Sequence, residues 1–188
     1  MVLAQRLSKR YPDANGIAAT HFKSALNDPD GFVSDNSENI LYPHLADNNW
    51  ANRWWSLFNT REDFGPSDVL IDMLKDLDDP RLTVYANENA DGEYVGVPYG
   101  LTRDELITWS AANDFSRMGD DIRQQDSPSY MISASLMNFV RSEAAEMGWT
   151  SEDAQALYEE GIQASFEQRG VYDAAEYAAY IANADVAY

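Results

Sequence analysis

PSYMISASLMNFVRSEAAEMGWTSEDAQALYEEGIQASFEQRG, residues 128–170, decides the fold. It reads as two amphipathic helices joined by the short turn Gly148-Trp149-Thr150-Ser151. In the second helix Ala154, Leu157, Tyr158, Gly161, Ile162, Ser165 and Phe166 recur at i, i+3, i+4, i+7, i+8, i+11 and i+12, one face at about 3.6 residues per turn. Such a face must be buried. Gly148 suits the left-handed conformation that ends a helix, and Thr150 is the predicted cap of the next one, with Asp153 three residues on as in a capping box.

Ala154, Tyr158 and Gly161 fit the small, aromatic, small spacing of the second helix of a tetratricopeptide repeat, and Ala18, Phe22 and Ala25 fit it more closely. Small residues let a neighbouring helix approach while the aromatic ring fills the gap between them. The first-helix half of the pattern is poorly met, because Asn138, Arg141 and Ser142 stand where Trp, Leu and Gly belong. An ordinary antiparallel helix pair therefore stands beside the repeat reading.

Outward from the hairpin, Met1 to Arg10 reads as the end of a helix with Leu3 and Leu7 on one side, and Ile17 to Leu26 as the helix carrying Phe22. Ser34 to Arg61, rich in Asn, Asp and Ser, reads as a long loop. Ser67 is the predicted N-cap of a helix with the stripe Leu70, Met73, Leu74 and Leu77, stopped before Asp79-Pro80. Alternation through Leu82, Val84 and Ala86, then Asn89-Ala90-Asp91-Gly92 and Tyr94-Val95-Gly96-Val97, predicts a short β-hairpin. Thr102 and Glu105 are spaced as a capping box for a brief helix to Ala111, Met118 to Ser129 is loop, and Asp173 opens a last helix aligning Ala174, Tyr177, Ala178 and Ile181. The expected class is all-α: tetratricopeptide-like helix pairs with long loops and one short β-hairpin, in a single domain over residues 1–188.

Composition narrows the function. With 45% hydrophobic residues and 12% aromatics the chain is globular. Thirty-two carboxylates against thirteen Lys and Arg, a net charge of -19, would repel nucleic-acid phosphates and anionic lipids and leave neutral or cationic ligands. Cysteine is absent, which removes disulfides, thiolate metal sites and thiol nucleophiles from this stretch. No apolar run reaches the roughly 20 residues that span a bilayer, and the chain as given is expected to be soluble.

The best ligand candidates lie in Asn48-Asn49-Trp50-Ala51-Asn52-Arg53-Trp54-Trp55. Aromatic faces stack on the apolar face of a pyranose while amides and guanidinium hydrogen-bond its hydroxyls. Asn49, Trp50, Asn52, Arg53 and Trp54 are the expected contacts, and Trp55 and Phe58 are read as packing residues. Tyr94, Tyr99 and Trp109 form a second, weaker aromatic set for which packing of the hairpin is the favoured explanation. Asn87, Asn89, Asp91 and Gly92 match part of a calcium loop, but Pro98 takes the place of its bidentate Glu, so no metal is assigned. His21 and His44 do not make a zinc motif, His21 being read as solvent-facing. Paired carboxylates such as Asp78-Asp79, Asp120-Asp121 and Glu159-Glu160 are read as solvated surface, and Asp79-Pro80-Arg81 as a helix stop with an ion pair; no cofactor is expected.

Six segments in order resemble the SusD/RagB-type nutrient-binding outer-membrane lipoproteins, and the SusD-like group in particular. They are Arg6-Leu7-Ser8-Lys9 with Val33-Ser34-Asp35-Asn36-Ser37; Asp79-Pro80-Arg81-Leu82; Gly96-Val97-Pro98-Tyr99-Gly100-Leu101; Asn138-Phe139-Val140-Arg141-Ser142-Glu143-Ala144-Ala145; and Tyr158-Glu159-Glu160-Gly161-Ile162. The resemblance implies a helical scaffold on the cell surface that binds oligosaccharides or other nutrients in its loops, works with a TonB-dependent transporter and catalyses nothing. It also implies an internal fragment truncated at both ends, because the family's signal peptide, lipid-bearing Cys, first helices and last helices have no counterpart here. A tetratricopeptide-like protein-interaction scaffold is the alternative, and an acidic glycoside hydrolase fragment is the third reading.

Overall fold

A computed structural model describes residues 1–60 and 64–188. Arg61, the last residue of the predicted loop, lies outside the described residues. In chain order the helices are α1 Val2–Gln5, α2 Ile17–Leu26, α3 Arg53–Phe58, α4 Asp68–Asp76, α5 Leu82–Tyr85, α6 Arg103–Ala112, α7 Asp120–Arg123, α8 Ala134–Glu146, α9 Ala154–Gln168 and α10 Ala174–Ile181. Strands β1 Ile40–Tyr42 and β2 Ser129–Ile132 form a two-stranded sheet. The all-α class expected from the sequence holds. The chain divides into two compact units, one of Met1–Leu41, Tyr130–Tyr177 and Tyr188, the other of Tyr42–Ser129 and Ala178–Ala187.

In the first unit α9 buries Leu157, Gly161, Ile162 and Phe166, as its periodicity requires. A Cβ added to Gly161 would lie 2.9 Å from the Phe139 ring. Glycine therefore lets α8 come close, and the Phe139 and Tyr158 rings meet at 5.7 Å beside it. Ser135 and the residues that spoil the repeat signature on α8 have their own work. Ser135 Oγ donates to Gly161 O and Ser142 Oγ to Ala154 O, each at 2.7 Å, and Arg141 bridges Asn138 Oδ1 and Glu152 Oε1 at 3.0 Å. Hydroxyl-to-carbonyl bonds join the helices where the repeat would use shape alone.

The turn departs from its prediction at one point. Gly148 is left-handed, at φ +68, but the cap of α9 is Asp153, whose carboxylate accepts from Ala156 N at 3.0 Å. Thr150 Oγ1 is buried without a hydrogen-bond partner among the described residues. The cause is Trp149, drawn inward until only 1% of it is exposed. Its N–H donates to Ala144 O at 2.9 Å, its indole N–H to Pro12 O at 3.2 Å, and its ring stands edge-on to Phe22 at 5.8 Å. Around it Ala4, Ala18, Ala19, Phe22, Val140 and Ala144 complete the core. α1 is shorter than expected, giving way to turns after Gln5.

The second unit follows different rules. Ser67 caps α4 as predicted, accepting from Leu70 N at 3.2 Å. The buried stripe is Ile71 and Leu74, with Met73 exposed, so the face is rotated from the one expected. The predicted hairpin does not form. Asp79 accepts from Arg81 N through its side chain and from Leu82 N through its carbonyl, and this start signal winds Leu82–Tyr85 into a helical turn despite its alternating side chains. The Asn89–Gly92 turn does close, with Gly92 N donating to Asn89 O at 3.1 Å. Val95 then pairs with Ser116, and Val97 with Ser67. Gly96 is required there because a Cβ would fall 2.3 Å from Asp68 Cα. α6 carries the predicted Thr102–Glu105 capping box.

Beneath α4 Asp79 is buried and receives a two-pronged Arg81 guanidinium, with Nε at 2.9 Å, and the Tyr180 hydroxyl, also at 2.9 Å. Burial pushes the Asp79 carboxyl up, but the hydrogen bonds and charge of Arg81 more than offset it and hold the group below its ordinary value. Burial, then the Asp79 charge, pushes the Tyr180 phenol up to about 12. Asp173 opens α10 as predicted, accepting from Glu176 N at 3.0 Å. Its inward residues are Tyr177 and Tyr180, whereas Ala174 and Ala178 are exposed.

Candidate functional site

α3 is a two-turn helix hung from one side chain. Asn52, only 3% exposed, accepts from Trp54 N at 2.7 Å to cap α3, donates from Nδ2 to Ser127 O at 2.8 Å, and donates its backbone N–H to Gln125 O at 2.7 Å. The preceding loop is tied to the same segment by Gln125 Nε2 to Asn48 Oδ1 at 3.2 Å and by His44 Nε2 with Ser129 Oγ at 3.0 Å. Phe58, beside the Arg123 guanidinium at 5.3 Å, and Trp54 both pack on Phe64.

This stitching opens a cleft of about 540 Å³ lined by Trp55, Asp120, Arg123, Gln124, Gln125 and Asp126. An indole stands among two carboxylates, two carboxamides and a guanidinium. Arg123 Nη2 pairs with Asp120, which also accepts from Asn87 Nδ2 at 2.8 Å. Arg123 Nε is buried with no hydrogen-bond partner among the described residues. The chemistry available is stacking on an apolar face combined with hydrogen bonding to hydroxyl or amine groups.

The residues expected to bind ligand are spread across the second unit. Trp50 is 57% exposed and Trp54 38%, Asn49 and Arg53 are exposed, and Asn52 spends its side-chain groups on the fold. Tyr99 is 83% exposed. Tyr94 and Trp109 are half-buried, the indole 5.8 Å from Phe115. No ring contact joins Trp50 or Trp54 to Tyr94, Tyr99 or Trp109 among the described residues. The cleft instead uses Trp55, read from sequence as packing, and the Asp120–Asp126 stretch, read as loop. The density of carboxylates and amides in Asp-Asp-Ile-Arg-Gln-Gln-Asp was the available signal.

Among the described residues no group of three or more His, Cys, Asp or Glu is arranged to hold a metal. In the calcium-like stretch Asn89 Oδ1 accepts from Asp91 N and Glu93 N, which spends it on the turn. Asp79, the buried member of the Asp78-Asp79 pair, is held down in pKa, opposite to what a general acid needs.

A family model described as starch-binding associating with outer membrane matches residues 1–188 under the name SusD-like. A chitin-binding SusD homolog from Flavobacterium johnsoniae is similar at 29% identity and TM-score 0.79, covering 96% of this chain and 35% of that one. A second structure, of a chitin-binding protein, is similar at 25% identity and TM-score 0.74, with 95% and 42% covered. A SusD homolog from Bacteroides thetaiotaomicron shares 27% identity at TM-score 0.69, with 93% and 36% covered. The chain thus spans between a third and a half of the length of these relatives. No curated protein matches its sequence.

Proposed function

Because the chain belongs to the SusD-like family, we propose that it is a non-enzymatic glycan-binding part of a surface nutrient-uptake system. The observation that carries this reading is the cleft that sets the Trp55 indole among Asp120, Arg123, Gln124, Gln125 and Asp126. An aromatic face takes the C–H face of a sugar ring, and side-chain amides and carboxylates take its hydroxyls. The pattern of use is binding without turnover: the buried carboxylate of the unit is locked in an ion pair rather than poised to donate a proton. Association with the outer membrane and work beside a TonB-dependent transporter rest on the family assignment. No helix among the described residues is long and apolar enough to cross a membrane.

Chitin oligosaccharides head the ligand panel because two of the similar structures are of chitin-binding proteins, and starch oligosaccharides come second from the family description. Titration calorimetry with both, and with mannan and xylan fragments, is expected to yield saturable heat with no released sugar. Trp55→Ala should lower affinity about 10-fold or more, as loss of one stacking platform does. No heat from any neutral glycan would sink the reading, and so would full affinity retained by Trp55→Ala.

A further inference from the structure

α7 supplies two residues of the cleft wall, Asp120 and Arg123, yet it is a single turn of four residues. One turn has no stability of its own, because fixing its backbone costs more than its few hydrogen bonds return. Its place must be imposed by its neighbours. Just beyond its end the chain is held by Asn52, bonded to Gln125 and Ser127. Just before its start the chain runs against residues 84–87. Gly119 N donates to Tyr85 O at 3.0 Å, Asn87 N donates to Arg117 O at 2.9 Å, and Ala86 pairs with Met118. Gly119 is required there, since a Cβ would collide with Val84 O.

Asn87 adds a side-chain clamp to this backbone pairing. Its Nδ2 donates to Asp120 Oδ1 at 2.8 Å, and its Oδ1 accepts from Asp120 N at 3.3 Å. Both ends of one carboxamide thus hold one residue, and the Arg123 guanidinium is paired with that same Asp120 oxygen. Asn87 does not itself line the cleft. Resting on the glycan reading above, we infer that Asn87 is a positioning residue for saccharide binding, which touches no ligand but fixes Asp120 and, through it, the Arg123 guanidinium of the cleft wall. Only a carboxamide offers the donor and the acceptor together: Asp at this position would lose the donor, and Ala both. The first position of the calcium-like pattern therefore has its own use, spent on the cleft wall, as Asn89 is spent on the turn.

The test uses the whole chain and titration calorimetry with whichever glycan of the panel binds best, chitin oligosaccharides first. Asn87→Ala should weaken binding about 3- to 10-fold, the size of one or two hydrogen bonds that preorganise a site. Asn87→Asp keeps the shape and the acceptor but sets a second carboxylate against Asp120, and should weaken binding at least as much. Circular dichroism checks that each variant is folded, and Asn87→Asp, nearly the same in shape, carries the test if Asn87→Ala is not. Asp120→Ala should weaken binding by itself, and adding Asn87→Ala to it should cost no more than about a further 1.5-fold, because the clamp then has no side chain to set. Asn89→Ala, which loosens the neighbouring turn without touching Asp120, should leave affinity within about 1.5-fold.

Full affinity in Asn87→Asp, or in a folded Asn87→Ala, would overturn the inference while leaving glycan binding intact. An equal loss in Asn89→Ala would assign the effect to general loosening of the loop and overturn it too. Losses that simply add in the double variant would show that Asn87 does not act through Asp120. No heat from any glycan of the panel with the unaltered chain would overturn the glycan reading itself.

Discussion

The two units of this protein are held together by different means. In the first, a tryptophan from a turn is sunk among alanines and a phenylalanine, and two long helices meet over a glycine. In the second, short helices are joined by polar side chains that bond across the chain: Asp79 with Arg81 and Tyr180, and Asn52 with Ser127 and Gln125. Apolar packing tolerates small shifts at a modest cost, whereas a buried polar group without its partner costs the whole of its desolvation. The first unit should therefore fail gradually as its core is trimmed, and the second abruptly when one bond partner is removed. The contrast also separates duties, since the cleft belongs to the second unit, where Asp120, Arg123, Gln124 and Gln125 are each oriented by a hydrogen-bonded side chain.

Trp149→Ala should have the largest effect. It leaves a cavity in the first core and should cost about 3–5 kcal/mol, read as a loss of midpoint in urea unfolding followed by circular dichroism. Gradual failure would show as a milder loss in Trp149→Phe. Asp79→Ala comes next, because it takes the buried carboxylate partner from both the Arg81 guanidinium and the Tyr180 hydroxyl; about 3 kcal/mol is expected in the same assay. A loss well under 1 kcal/mol there would remove the contrast between the units. Asn52→Ala unties α3 from Ser127 and uncaps it, at about 1–2 kcal/mol, and should also weaken saccharide binding through a displaced Trp55. Asn52→Asp, which keeps the cap but not the bond to Ser127, should fall between the two.

The smallest effect is on pH dependence, and its sign differs at the two ends. The Tyr180 phenol is raised from 10.0 to about 12 in the fold, so its contribution is whole below pH 10 and is lost as pH rises through about 12. Asp79 is lowered from 3.8, so its contribution is present above that value and is lost as pH falls through its folded value. Tyr180→Phe should flatten the alkaline limb of stability measured against pH. An unchanged alkaline limb would show that the phenol is not coupled to the carboxylate.

Legibility followed the same division. The α9 face, the span of α2 and the caps at Ser67 and Thr102 could be read directly, because periodicity and capping act over a few residues. Thr150 was read as a cap and Asp153 proved to be one, since burial of Trp149 lengthens the turn. The β-hairpin expected after Pro80 gave way to a helical turn because Asp79 bonds the backbone that follows it. Trp55 and the Asp120–Asp126 stretch were out of reach for a related reason: they are brought together by Asn52, whose bonds to Ser127 and Gln125 reach more than seventy residues along the chain.

By itself the sequence determined the helical class, the α8–α9 hairpin, the acidic composition, and a resemblance that the family match bears out. These rest on local periodicity, charge and ordered motifs, all properties of the chain as a string. The tertiary structure alone decided which indole faces a cleft and which carboxylates stand beside it, because those neighbours are chosen by hydrogen bonds between segments distant in sequence.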